Sequence, residues 1–212
     1  DVTATIEKRK ALAETIQAVA REIFLPLCVG GGIRGEGHAE AAIEAGADKV
    51  GINTAALAHP ELITTLARRY GSQAIIVAID AKREDDRFKM YVRSGQQGTD
   101  RDAVEWAREA ADRGAGEILL TSMDRDGTKS GYDLEMLRSV ADAVSIPVIA
   151  SGGGGSADDL AARALARRTR GEGWQTSGHF TLKQWFSIQD FNSRISIQQD
   201  GRFNSGKVRV DR

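Results

Sequence analysis

The chain has 212 residues, 41% of them hydrophobic and 28% charged, with a formal net charge of −1. These values describe a soluble globular protein of one domain or at most two. They exclude a global electrostatic pull toward nucleic acid or acidic membranes.

Short apolar runs alternate with alanine-rich amphipathic stretches through most of the chain. In order, helical periodicity covers Lys8–Glu22, Gly37–Ala45, Pro60–Tyr70, Asp100–Arg113 and Leu134–Ala143. Strands are predicted at Leu27–Val29, Lys49–Ile52, Ala74–Ile79, Glu117–Leu120 and Val148–Ala150. Strand–helix alternation with short loops predicts a parallel sheet wrapped by helices and buried on both faces. Within Lys82–Gly95, Phe88–Val92 is expected to form a small hairpin in a loop. The longest apolar runs, such as Ala74–Ile79, are too short to cross a bilayer. The opening DVTATIEKRK is neither a signal peptide nor a transit sequence. The single cysteine, Cys28, excludes an intramolecular disulfide and fits a reducing cytoplasm. Within Leu25–Val29 it reads as a small buried residue rather than a nucleophile.

Polar residues gather where each predicted strand ends: Gly30-Gly31-Gly32, Asn53-Thr54, Asp80, Asp124 with Asp126, and Ser151-Gly152-Gly153. Active sites of βα barrels are built from those strand ends, and open doubly wound sheets follow a similar rule. The stretch LLTSMDRDGTKSGYD, residues 119–133, is the densest case. Its aspartates either shape a turn that caps the next helix or do chemistry. For Asp80 the alternative to chemistry is an ion pair with Lys82 or Arg83. Two glycine stretches let backbone N–H groups approach a phosphate, with Asn53, Thr54 and Ser151 as further donors. His38, His59 and His179 form no cluster, and nothing has metal-ligand spacing, so no metal or cofactor is expected.

A repeat favours the barrel. PLCVGGGIRGEGHAEAAIEAGADKV from Pro26 aligns with PVIASGGGGSADDLAARALARRTRG from Pro147, so that Gly31/Gly152, Gly32/Gly153, Ala41/Ala162 and Ala45/Ala166 fall in register. The second copy breaks where a buried strand is due. The charge changes with it, from a net of −7 over residues 1–162 to +6 over 163–212. Residues 1–162 are therefore read as a partial barrel domain. Residues 163–212 are read as a basic tail, irregular or a β-hairpin with its turn at Asp200-Gly201. A frameshift near codon 162 is the expected origin of that tail. Its aromatic and basic residues carry no nucleic-acid-binding motif.

The motifs DVTATIEKRK, VGGGIR, GADKVGINTAAL, GSQAIIVAIDAKR, RGAGEILLTSMDRDGTKSGYD and PVIASGGGGS together resemble the cyclase subunit of imidazole glycerol phosphate synthase, from Asp1 to about Ala161. The sister isomerase of histidine biosynthesis shares the half-barrel repeat, but INTAA, AIDAKR and DGTKSGYD are more similar to the cyclase. The resemblance implies a (β/α)8 barrel, incomplete here because the first strand, nearly all of the second and the last are missing. It implies a lyase that uses ammonia from a partner glutaminase subunit. The substrate would be a bis-phosphorylated ribulosyl-formimino aminoimidazole ribonucleotide, and the products imidazole glycerol phosphate and an aminoimidazole carboxamide ribotide.

By the same resemblance Asp80 and Asp126 are the catalytic candidates, one further carboxylate belonging to the missing first strand. Gly31, Gly32, Asn53 and Thr54 would hold one phosphate, and Gly127, Ser151, Gly152 and Gly153 the other. Asp1, Ser94 and Thr121 would line the substrate pocket. Lys49 and Glu117 would belong to a charged ring that gates ammonia, the alternative being an ordinary surface pair. With strands missing, little or no turnover is expected of this chain, and a non-catalytic barrel fragment that binds phosphate or self-associates is the competing expectation.

Overall fold

A computed structural model describes residues 6–92, 95–156 and 159, all within Asp1–Gly171, the first of the chain's two units. Asp1, Ser94 and the tail from residue 163 lie outside the described residues. The chain runs α1 (Ile6–Glu22), β1 (Cys28–Gly30), α2 (Glu36–Glu44), β2 (Lys49–Ile52), α3 (Thr54–Ala58) and α4 (Glu61–Tyr70). It continues through β3 (Ile75–Glu84), β4 (Arg87–Val92), β5 (Gln97–Asp102), α5 (Ala103–Asp112), β6 (Glu117–Ser122), α6 (Leu134–Ala141) and β7 (Val148–Ser151).

Five strands are parallel in the order β1-β2-β3-β6-β7, and helices alternate with them along the chain. This is a partial (β/α)8 barrel, as expected from the internal repeat and the family resemblance. Among the described residues the outer sides of β1 and β7 have no strand partner. Alternate strand residues face the helices, where Val77, Ile79, Ile118 and Leu120 are fully buried. Ile63 and Leu66 of α4, Trp106 of α5, and Met136 and Val140 of α6 complete that core. Each such side chain contributes roughly 1.5–3 kcal/mol by leaving water.

Register defines the other face. Ile76, Ala78 and Asp80 of β3 stand opposite Glu117, Leu119 and Thr121 of β6. Leu119 and Thr121 in turn pair with Ile149 and Ser151 of β7. On β2, Gly51 pairs with Ile76, so Lys49, Gly51 and Asn53 belong to this same face. It is therefore charged at the strands' N-terminal ends, apolar or small in the middle, and polar at their C-terminal ends.

The structure departs from three expectations. The segment after Asp80 is no isolated hairpin, because β3 runs on to Glu84, pairs antiparallel with β4, and β4 pairs with β5. β2 ends at Ile52, level with Val77, which leaves the far half of β3 free to take β4 as its neighbour. The helix expected from Asp100 starts only at Ala103. Asp102 closes β5 and caps α5 by accepting from the Val104 and Glu105 backbone N–H groups at 2.8 and 3.1 Å. Cys28, expected to be buried, is half-buried, because among the described residues β1 is an edge strand.

Candidate functional site

Asp80 sits at the centre of the polar C-terminal end, on the middle strand. The Asn53 amide Nδ2 donates to its Oδ2 at 2.9 Å, and the Thr121 side chain on β6 bonds it from the other side. Burial pushes the Asp80 carboxyl above its ordinary range, these two hydrogen bonds draw it part of the way back, and the nearby Asp126 charge pushes it up again. Neither Lys82 nor Arg83 is its partner: Arg83 pairs with Glu135 at 2.6 Å and stacks over Phe88.

The two aspartates of the β6–α6 loop are placed differently. Asp124 Oδ2 accepts from the Arg83 backbone N–H at 2.8 Å, fastening the loop to the base of the β3–β4 ribbon. Asp126 is exposed, and its backbone N–H donates to Ser122 O at 2.9 Å. It faces Asp80 closely enough for the charges to repel. Arg125 donates to Ser130 Oγ at 3.1 Å and so stays within its own turn. Thus Asp80 and Asp126 are brought together, whereas Asp124 and Arg125 build the loop.

The glycine clusters fall on either side of Asp80. Gly31 and Gly32 follow β1 with φ of 84° and 75°, beside Asn53 and Thr54 at the end of β2. Gly152 and Gly153 follow β7 with φ of 87° and 91°, beside the β6–α6 loop that carries Gly127. At Gly152 a Cβ would stand 2.6 Å from Ser122 O, so backbone passes where a side chain would be. The Gly131 N–H donates to Gly153 O at 2.8 Å and ties that loop to β7. The clusters are centred between β1 and β2 and between β6 and β7, three strand spacings apart, or about 14 Å along the sheet.

Two residues of these turns escaped the sequence reading. His38 Nδ1 lies 3.2 Å from both the Arg34 backbone N and Gly32 O, bracing the first glycine turn. Asp159 accepts from the Gly155 and Ser156 N–H groups at 2.9 and 2.8 Å, which holds its carboxyl below its usual range. The spacing Ser156-x-x-Asp159 resembles a capping box and was a usable signal.

At the N-terminal ends Lys49 and Glu117 form an ion pair across the start of β3, with side chains only 15% and 17% exposed. Glu117 Oε2 is buried without a hydrogen-bond partner. Among the described residues no group of three His, Cys, Asp or Glu is arranged to hold a metal ion. None of the described helices is long and apolar enough to cross a membrane.

Fold and site together define a βα-barrel protein with a carboxylate between two glycine-rich turns at the C-terminal ends of its strands. The family model "Histidine biosynthesis protein" matches residues 1–172, and the chain belongs to that family. Among relatives, imidazole glycerol phosphate synthase subunit HisF of Myxococcus xanthus (strain DK1622) is 53% identical over 157 residues, covering 74% of this chain and 62% of that protein. The protein of the same name from Alkaliphilus metalliredigens (strain QYMF) is 54% identical over 162 residues, covering 76% and 64%. The chain thus spans less than two thirds of the length of either relative.

Proposed function

We propose that the protein carries the cyclase chemistry of imidazole glycerol phosphate synthase, a lyase of histidine biosynthesis working in the cytoplasm. Ammonia attacks the bis-phosphorylated ribulosyl-formimino aminoimidazole ribonucleotide, the imidazole ring closes, and imidazole glycerol phosphate, the aminoimidazole carboxamide ribotide and water leave. The observation that carries this reading is Asp80, half-buried on the central strand with a glycine turn on each side. A substrate with a phosphate at each end and its reacting carbons between them suits that order. Of the four residues expected at one phosphate, Gly31, Gly32 and Thr54 take it while the Asn53 amide is engaged with Asp80, and Gly127, Ser151, Gly152 and Gly153 take the other. Thr121, on the same face, lines the substrate's middle.

Ring closure needs protons removed from nitrogen and delivered to a departing oxygen. Two carboxylates in unlike surroundings divide such work. Asp80, with its carboxyl raised by burial, holds a proton more readily than an exposed carboxylate does. Asp126, exposed on its loop, is the second carboxylate of the pair. Both line the end of the sheet where the substrate's centre would lie.

Ammonia would come from the glutaminase partner at the opposite face, past Lys49 and Glu117. Between that pair and Asp80, the face carries Gly51, Ile76, Ala78, Leu119 and Ile149, an apolar path that suits uncharged NH₃ and not ammonium. Phe24 and Leu25, exposed just before β1 on the same N-terminal side, support a protein partner there.

The test is equilibrium binding of the bis-phosphorylated substrate against a mono-phosphorylated ribonucleotide that lacks the second arm. Two cradles give the bis-phosphate an advantage of about tenfold or more, worth roughly 1.4 kcal/mol. Equal affinities would sink the two-ended reading.

A further inference from the structure

Asn53 occupies the N-cap position of α3. Asparagine is favoured there because its side-chain oxygen ordinarily turns back onto the free N–H groups of the first helical turn. Here the side chain makes no capping hydrogen bond. Its Nδ2 donates instead to Asp80 Oδ2 at 2.9 Å, and its Oδ1 is left buried without a partner. Only the NH₂ end of an amide can serve an ionised carboxylate, which accepts and cannot donate. The contact therefore fixes which way the amide faces, at the expense of both the cap and its own oxygen. A purely structural asparagine at this position would satisfy the helix first.

We propose that Asn53 is a positioning residue for Asp80, holding its carboxyl in one orientation in both protonation states. When Asp80 is ionised, Nδ2 donates to it. When Asp80 gains a proton, a half-turn of the amide brings the unpartnered Oδ1 round to accept the new O–H. No heavy atom of the backbone needs to move, and the carboxyl stays aimed at the substrate between proton uptake and delivery. Thr121 holds the other side from β6, so the carboxyl is gripped between neighbouring strands. This role rests on the cyclase reading of the same site, and it differs from a phosphate-binding one because the amide nitrogen is committed to Asp80.

The test separates the two. In the ligand-free chain, carboxyl-¹³C NMR follows the titration of Asp80, assigned by the signal that disappears in Asp80→Asn. Asn53→Ala removes a bond that stabilises the ionised form, so Asp80 should titrate at higher pH. Asn53→Asp, an isosteric change, should make the two carboxyls titrate in two steps, the upper one further raised. In parallel, the ammonia-dependent reaction of Asn53→Ala should slow by about 10- to 100-fold, with its pH–rate limb displaced upward as the NMR titration is. Substrate affinity should stay within about threefold, since the amide is not spent on a phosphate. An Asp80 titration unmoved in both variants overturns the proposal and leaves the cyclase reading intact. So does a shifted titration with an unchanged rate. Shifted titrations in the variants, with a wild-type chain that makes no product, support the Asn53 contact while overturning the cyclase reading.

Discussion

Lys49→Met is the perturbation whose cost follows most directly from the structure. Lys49 and Glu117 stand on the two strands that flank β3, about 10 Å apart at the backbone. Neither side chain alone crosses that gap, and together they close it. At 15% and 17% exposure, water replaces little of a lost partner, and Glu117 already has one buried oxygen unpaired. Removing one member of a fully buried pair costs roughly 3–5 kcal/mol. Discounting for the residual exposure gives about 2–4 kcal/mol for Lys49→Met, or a fall in Tm of roughly 5–15 °C for a chain of this size. Glu117→Leu should cost less, because the lysine left behind has a four-carbon stem that can carry its charge toward solvent. The double substitution Lys49→Met/Glu117→Leu should return to within about 1 kcal/mol of wild type, since no charge is left stranded. Urea denaturation of the four proteins, with the slopes compared to confirm a common transition, provides the cycle. Single losses below about 0.5 kcal/mol, or losses that simply add in the double variant, would refute a buried brace and restore an ordinary surface pair.

Gly152→Ala should destabilise by about 2–5 kcal/mol, combining a left-handed backbone with a Cβ only 2.6 Å from Ser122 O; a Tm within 2 °C of wild type would show that the turn is loose. Asp102→Ala removes the α5 cap and should cost about 1 kcal/mol, with hydrogen exchange accelerated at the start of that helix. Asp80→Asn should raise Tm at neutral pH. A carboxyl whose folded pKa is raised contributes fully below its unfolded pKa and loses that contribution as pH rises through the folded value, so ionised Asp80 is a net cost near neutrality. The gain should close as pH falls below about 4, where both forms of the site are neutral; a lower Tm for Asp80→Asn at neutral pH would contradict the raised pKa.

The parallel strands and their helices were legible because short β-branched runs and alanine-rich 3.6-residue periodicity alternate from Leu27 to Ala150, with a break at Lys82–Gly95. The polar strand ends followed from the same pattern. The β4–β5 ribbon was half legible. Phe88, Met90 and Val92 alternate and are buried, but β5 reads QGTDRD and has no apolar residue to mark a strand. Its order comes from pairing with β4, which a local pattern does not contain. Within the site, Asp80 and the glycines were visible as strand-end residues. The Asn53–Asp80 bond spans 27 positions and the Lys49–Glu117 pair 68. Both depend on the register of neighbouring strands, so only the resemblance could group Lys49 with Glu117, and nothing pointed Asn53 at Asp80. Asp124 and Asp126 look alike in DRDGT; only the resemblance singled out Asp126, and the Arg83 N–H that makes Asp124 a loop builder is not visible in the sequence.

The most direct measurement is a single-turnover reaction, with protein in excess over the bis-phosphorylated substrate and an ammonium salt as nitrogen source at pH 8. This format detects conversion even when it is slow. Wild type should form imidazole glycerol phosphate slowly, with a rate that rises with ammonia. Asp80→Asn should lower that rate by at least about 100-fold, while binding the substrate within about threefold of wild type. Equal rates in the two proteins would contradict Asp80 as the proton-transfer group of a cyclase, and no ammonia-dependent product from wild type with substrate bound would favour the non-catalytic phosphate-binding fragment instead.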